Sequence, residues 1–307
     1  MRRVAQGVHI ADVEHLGNPG YIAASVLECD DGLVIIDPGP TTSLPGLARR
    51  LDELGASFDD VASLLLTHIH LDHAGASGVL VREHPRIRVH VHERGAKHVL
   101  DPGSLLDSAT RLYGADMERL WGEVAAVPAA NVVSLTGGET LAPGGRTIRV
   151  AYTPGHAWHH VSYLEEAAGL AFVGDTCGER FLDARYVLPV TPPPDIDLEA
   201  WAASSACLRE WDADALVVTH FGLCTRPSWH LDTHDAELAD WAERVRKSLD
   251  QPGTDDEHAA RFRDDVFARI AETLPPENAR PYDEGAPDAS WSGLARYWRK
   301  RLSARPS

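Results

Sequence analysis

The chain has 307 residues, of which 44% are hydrophobic and 24% charged, ordinary proportions for a globular protein with a sizeable core. Its 46 acidic residues outweigh 29 basic ones, for a net charge of −17; such a surface repels phosphate backbones and anionic lipid heads and argues against nucleic-acid and membrane partners. No apolar run approaches the roughly 18 residues of a membrane span, the opening MRRVAQGVHIADVEHLG lacks the apolar stretch of a secretion signal, and the scattered Cys29, Cys177, Cys207 and Cys224 form no CxxC pair, so a reducing cytoplasm is the expected setting.

The first predicted elements are two strands, in YIAASVLEC and GLVIIDPG, joined as a hairpin through Asp30-Asp31-Gly32. Leu44, Leu47, Leu51 and Leu54 recur at helical spacing and predict a helix over 43–54. VASLLLTH is a short buried strand that runs into the cluster HIHLDH, and the helix expected over 77–83 must stop before Pro85. RIRVHVH alternates as a strand, with His90 and His92 in structural positions. Residues 93–124 read as two or more short helices broken at Pro102 and Gly114. NVVSL, ETLAPGG and RTIRVAYTPGH predict strands joined by Gly-Gly turns, and VSYLEEAAGLAFVGD predicts a second hairpin.

The proline-rich YVLPVTPPPDIDLEAW leads into a helix from Leu198 to Leu208 with Asp197 as its N-cap, and DALVVTHFG is a last buried strand ending at His220. Two sets of strands separated by helices predict two sheets in one sandwich with helices outside, an α/β layered fold. Beyond it the pattern is charged and helical, over 231–249, 257–273 and 291–302, with LPPENARPYDEGAP between the last two. The expected division is a sandwich over 1–230 and a helical extension over 231–307 packed on it. His230 and His234 stand four apart on the first of these helices and read as an exposed face.

The chemistry lies where apolar strands end. LLLT ends at His68, VAYTPG at His156, AFVG at Asp175 and LVVT at His220. Loops at the ends of buried strands are where such folds place ligands and catalytic groups. In an extended segment residues i and i+2 point the same way, so His68 and His70 can reach one ion together. Asp72 and His73 diverge unless the chain turns into the next helix, in which case they serve a second ion nearby. A catalytic zinc takes about three protein ligands and keeps a position for water. His68, His70, Asp72, His73, His156, Asp175 and His220 are too many for one such ion and suit two that share a carboxylate. Cys177 and Cys224 neighbour these residues, but the set is full without them.

THIHLDHAG resembles the HxHxDH signature of the metallo-β-lactamase superfamily, and TPGHA, FVGDT and THFG resemble its later ligand motifs in the same order, over roughly residues 7 to 225. The resemblance implies an αββα four-layer sandwich with a helical C-terminal extension and a site at one edge between the sheets. It implies His68, His70 and His156 on a first metal, Asp72, His73 and His220 on a second, and Asp175 bridging. VHERGAKHVLDP, TPGHAWHH and VTPPPDIDLEAW are similar to a bacterial and archaeal branch of general hydrolases in that superfamily.

Two cations lower the pKa of a shared water toward neutrality and polarise a carbonyl or phosphoryl oxygen, while Asp72 and Asp175 orient the nucleophile and carry a proton. The expected protein is thus a dinuclear hydrolase, with zinc as the expected metal and manganese or iron as alternatives. Its expected substrate is a small ester, thioester or lactone. The alternatives are a mononuclear iron persulfide-dioxygenase-like enzyme and a small phosphoester hydrolase. Trp158, His160 and Tyr186 are candidate substrate contacts with packing as the competing role, and His159 is read in the same way. The basic tail residues Arg296, Arg299, Lys300 and Arg301 match no substrate-gripping motif. Eight tryptophans leave room for a homodimer interface.

Overall fold

The computed structural model describes residues 1–180, 185–274 and 287–303. One sheet runs β1 (Arg2–Ala5), β2 (Val8–Asp12), β3 (Ala23–Cys29), β4 (Gly32–Ile36), β5 (Val61–Leu65), β6 (Arg88–His92), β7 (Val132–Leu135) in spatial order. It is antiparallel up to β4 and parallel from there. The second contains β8 (Thr140–Leu141), β9 (Ile148–Tyr152), β10 (Val161–Glu165), β11 (Leu170–Phe172), β12 (Ala215–Val218) and β13 (Gly222–Cys224), in the order β13-β12-β11-β10-β9-β8. Only its β11–β12 pair is parallel.

Helices α1 (Leu44–Asp52), α2 (Leu71–Ala74), α3 (Ser77–Glu83), α4 (Glu93–Leu100), α5 (Gly103–Tyr113) and α6 (Met117–Trp121) follow strands of the first sheet. The other helices among the described residues are α7 (Leu198–Glu210), α8 (Pro227–Ser248), α9 (Asp255–Thr273) and α10 (Pro287–Ser303). The predicted helices and hairpins lie within a few residues of their expected places, and Asp197 caps α7 by accepting from the Ala200 N–H at 2.9 Å. The connector over 275–286 lies outside the described residues.

The sandwich explains why the strands read as unbroken apolar runs. Leu65 packs between the sheets with Val34, Val150, Val161, Phe172 and Val217. Its neighbours Leu64 and Leu66 face the other way, into a layer with Leu47, Leu51 and Leu80 from the helices. A strand covered on both faces has no position left for a polar residue. The outer face of the second sheet is covered in turn by Leu208 of α7 and Leu231 of α8. The architecture is therefore the expected αββα sandwich.

Three strands escaped sequence reading. β1 and β2 lie in a stretch whose Arg-rich start masks the alternation, and β13 has only three residues. The expected exposed face at His230 and His234 is corrected. Both are fully buried, because α8 lies on the sandwich: His230 donates through Nε2 to the Cys177 carbonyl at 2.8 Å, and His234 packs on Trp201. The C-terminal helices form a tryptophan-rich core of their own with residues of the sandwich, joining Trp241, Phe262 and Trp291 to Trp201 and Leu188. Gly293 of α10 packs against the 191–193 backbone so closely that a Cβ there would stand 2.0 Å from the Thr191 carbonyl oxygen.

Candidate metal centre

All the predicted strand ends open at one edge of the sandwich. β5 continues through Thr67 into His68, and the chain then turns into α2, which lifts Asp72 and His73 to the same side. β9, β11 and β12 deliver His156, Asp175 and His220. The seven side chains assemble into two groups, His68–His70–His156–Asp175 and Asp72–His73–His220–Asp175, and within each group the ligand atoms lie within 4.8 Å of one another. In the first, His70 Nδ1 is 3.0 Å from both His68 Nε2 and His156 Nε2. Asp175 turns Oδ2 to that group, 3.6 Å from His156 Nε2, and Oδ1 to the other, 3.1 Å from His73 Nε2. In the second, Asp72 Oδ2 is 3.1 Å from His220 Nε2 and 3.5 Å from His73 Nε2.

Whether this donor set fits metal ions is decided by the opposite ring nitrogens. His156 Nδ1 faces the Val190 carbonyl at 2.8 Å, His220 Nδ1 the Tyr21 carbonyl at 2.9 Å, and His73 Nδ1 the Asp37 carboxylate at 2.8 Å. Each of those oxygens only accepts, so Nδ1 keeps its proton and Nε2 is the nitrogen turned inward, the one that offers a lone pair when the ring is neutral. Orientation of a ligand ring by its far N–H is the usual support of a metal-binding histidine. His73 Nε2 and Asp175 Oδ1 are buried and neither makes a well-aligned hydrogen bond. Inward lone pairs and unsatisfied carboxylate oxygens packed this closely are the arrangement a divalent cation stabilises.

Burial, with His73 and His70 adding to it, holds His68 well below the usual imidazole range, and burial with His156 takes His70 down to about 3. Burial also lowers His156. The first group is therefore neutral and ready to donate. In the second, burial acts in the same sense but the carboxylates outweigh it: Asp175, Asp72 and Asp37 raise His73, and Asp72, Asp175 and Glu179 lift His220 to about 9. Burial opposes ionisation of Asp72 and Asp175, yet His73 and His220 hold both below the ordinary carboxylate range.

Two residues that sequence reasoning missed complete the site. Asp37, fully buried at the end of β4, accepts from Thr67 N at 2.8 Å, Thr67 Oγ1 at 2.7 Å, His73 Nδ1 at 2.8 Å and Thr219 Oγ1 at 3.2 Å. Thr67 Oγ1, having donated to Asp37, accepts from His68 Nδ1 at 3.1 Å. One carboxylate thus sets the tautomer of a ligand in each group. Its signal was available, since GLVIID is one more apolar strand ending in an acid. Glu179 lines the cavity over the centre; burial pushes its carboxyl up to about 7, and its buried Oε2 has no hydrogen-bond partner among the described residues.

Of the candidate substrate contacts, Trp158 lines that cavity, which has a volume of about 1220 Å³. His160 does not: it lies behind His68, ring centroids 5.1 Å apart, with Nδ1 bonded to Thr153 and Thr176 hydroxyls. Tyr186 is likewise corrected, being buried in the core that joins the sandwich to the C-terminal helices. His159 reaches the cavity instead.

The sequence profile described as the Metallo-beta-lactamase superfamily matches residues 17–220. The chain belongs to that superfamily. A metallo-beta-lactamase fold-containing protein of Sulfurisphaera tokodaii is 30% identical over 207 residues, 66% of this chain and 74% of the relative. A hydroxyacylglutathione hydrolase of a Synechococcus species is 29% identical over 171 residues, and the chain covers 50% of that relative's length. Among solved structures, a metallo-beta-lactamase family protein from Thermus thermophilus superposes with a TM-score of 0.74 at 23% identity, covering 98% of this chain and 95% of that one. That likeness concerns the fold, helical extension included. Among the described residues no helix of this superfamily member is long and apolar enough to cross a membrane.

Proposed function

We propose that this protein is a dinuclear metal hydrolase acting on an ester, thioester or lactone. The observation that carries the reading is the pair of adjoining ligand groups that share Asp175, each backed by rings whose far nitrogens are already fixed. His68, His70 and His156 would hold one divalent ion, Asp72, His73 and His220 the other, and Asp175 both. Two such ions, zinc in the first instance, supply a water acidified toward neutral pH and an electrophile for the substrate's carbonyl oxygen.

The chain's own groups do the remaining work. Asp72 is a ligand that also faces the cavity, so its carboxylate can take up the proton lost by the nucleophilic water and return it to the leaving group. The Tyr113 phenol also faces the cavity. Burial raises its pKa, helped by the charges of Asp72, Glu179 and Asp175, so it stays protonated as a hydrogen-bond donor to a developing oxyanion. Relatives bearing the name hydroxyacylglutathione hydrolase support thioesters among the three bond types. Asp175→Ala removes the shared ligand, and thioester and lactone hydrolysis by the zinc-loaded variant is expected to fall by at least about a thousandfold. Activity within about tenfold of the parent contradicts the shared-carboxylate mechanism.

A further inference from the structure

The cavity is larger than the roughly 300–1,000 Å³ usual for a small-ligand pocket, and it has two unlike arms. From His220 a file of rings leads outward along the first. Tyr21 meets His220 edge-on at 5.8 Å, His15 stacks on Tyr21 at 6.0 Å, and Trp121 stacks on His15 at 5.8 Å. Helix α5 runs beside this file and presents Leu105, Ala109 and Leu112 to the cavity at four- and three-residue spacing, while none of its residues is fully buried. An amphipathic helix ordinarily turns such a stripe to the core; here only Leu105 packs on the core, while Ala109 and Leu112 face the cavity beside Ser104, Ser108 and Arg111. Leu112 and Leu16, both lining the cavity, stay 48% and 40% exposed. Trp121 is buried in the wall with an Nε1 donor that has no partner among the described residues.

The second arm lies on the side of the first ligand group. Trp158, two residues beyond His156, carries Arg94 over its ring at 5.5 Å. Lys97 follows one turn later on α4, and both line the cavity. Many arginines of this acidic chain are ion-paired, as Arg50 is with Glu14 and Arg269 with Asp240. Arg94 and Lys97 form no ion pair among the described residues, and the acids on their arm are Glu93 and Asp195, of which burial pushes Asp195 toward neutrality.

We propose that the substrate is amphipathic, with an apolar chain along the α5–α6 wall, an anionic group at Arg94 and Lys97, and the scissile bond between them over the metal centre. This deepens the hydrolase reading and rests on it. The apolar arm needs an occupant because water leaves both Leu side chains and the helix stripe unsatisfied. Its continuity with His220 through the file of rings makes that occupant part of the substrate. The anion answers Arg94 and Lys97, the two cations grouped on the second arm.

The test uses the zinc-loaded full chain and acyl thioesters of three thiols of similar size, 3-mercaptopropionate, 3-mercaptopropyl phosphate and the neutral 3-mercaptopropanol, with acyl chains of four, eight and ten carbons. Released thiol is the readout. kcat/KM is expected to rise about twofold or more per methylene and to favour one or both anionic thiols over the neutral one, the winner telling carboxylate from phosphate. Leu112→Asp should flatten the chain-length dependence. Arg94→Gln with Lys97→Gln should cut the anionic-to-neutral preference at least about fivefold, through KM rather than kcat, and increasingly so at low ionic strength. All three positions are exposed, and thermal melts check that the variants stay folded. Turnover with no dependence on chain length, or a preference that survives the double variant, overturns the amphipathic substrate and leaves the hydrolase reading standing. Failure to cleave any thioester in the panel, together with simple esters and lactones, overturns the hydrolase reading itself.

Discussion

Asp37→Asn is the most informative single change, because it preserves shape and reverses proton positions. Asp37 Oδ1 accepts from the Thr67 backbone N–H, a donor that cannot rotate, so the amide oxygen of Asn must take that place. The NH2 then stands where Oδ2 accepted from Thr67 Oγ1, His73 Nδ1 and Thr219 Oγ1. Facing a donor, His73 must accept at Nδ1 and carry its proton on Nε2, which blocks the lone pair aimed at the second group. Thr67, now receiving a hydrogen bond, is free to donate to His68 Nδ1, which drives the same exchange in the first group. Loss of one charged hydrogen-bond acceptor costs about 2–3 kcal/mol, a fall of roughly 3–5 °C in Tm for a chain of this size. Removing such an orienting partner weakens metal binding by about 10–100-fold. Titration against a competing chelator, beside a melting curve, measures both. Unchanged affinity at both sites in a folded Asp37→Asn protein refutes the tautomer argument.

Three further outcomes follow from the same structure. His220 is raised to about 9 and His73 is raised as well, so an ion entering the second group at neutral pH must displace protons. Its apparent affinity should climb at least about tenfold per pH unit between pH 7 and 9, with proton release in calorimetry, and a flat profile contradicts the assignment. The sign is opposite for the stability of the metal-free protein. A raised His220 stabilises the fold below its unfolded value near 6.5, and that contribution is lost as pH rises through about 9. At Gly293, alanine would place its Cβ 2.0 Å from the Thr191 carbonyl oxygen, and the backbone there has no room to yield. Gly293→Ala should cost about 2–3 kcal/mol and loosen α10 from the loop that carries Val190, visible as a lower Tm and faster proteolysis of the C-terminal helices; an unchanged melt refutes the close packing.

The sandwich and the candidate ligands were legible in the sequence for one physical reason. A strand buried on both faces writes itself as a short apolar run, and the residue at its end is placed by the strand, so His68, His156, Asp175 and His220 announce their positions locally. What the sequence hid depends on packing between distant segments. Asp37 sits before Pro38-Gly39 and passes for part of a turn, although its role comes from Thr67, His73 and Thr219 brought together by three strands. His230 and His234 resembled an exposed helical face because nothing local reveals that α8 lies against the second sheet. Tyr186 read as a substrate contact because it precedes the proline-rich loop, but the C-terminal helices close over it. His160 adjoins the cavity-lining His159 in sequence, yet is held behind the cluster by hydrogen bonding between its Nδ1 and two threonine hydroxyls.

The central claim is that seven side chains form two metal sites with Asp175 in common. Metal analysis of the purified, dialysed protein tests it most directly, read beside Asp175→Ala and His156→Ala prepared in the same way. The account predicts about two divalent ions per chain in the parent, loss at both sites in Asp175→Ala, and loss confined to the first site in His156→Ala. A single iron per chain, retained in variants of the second group such as His220→Ala, would contradict it.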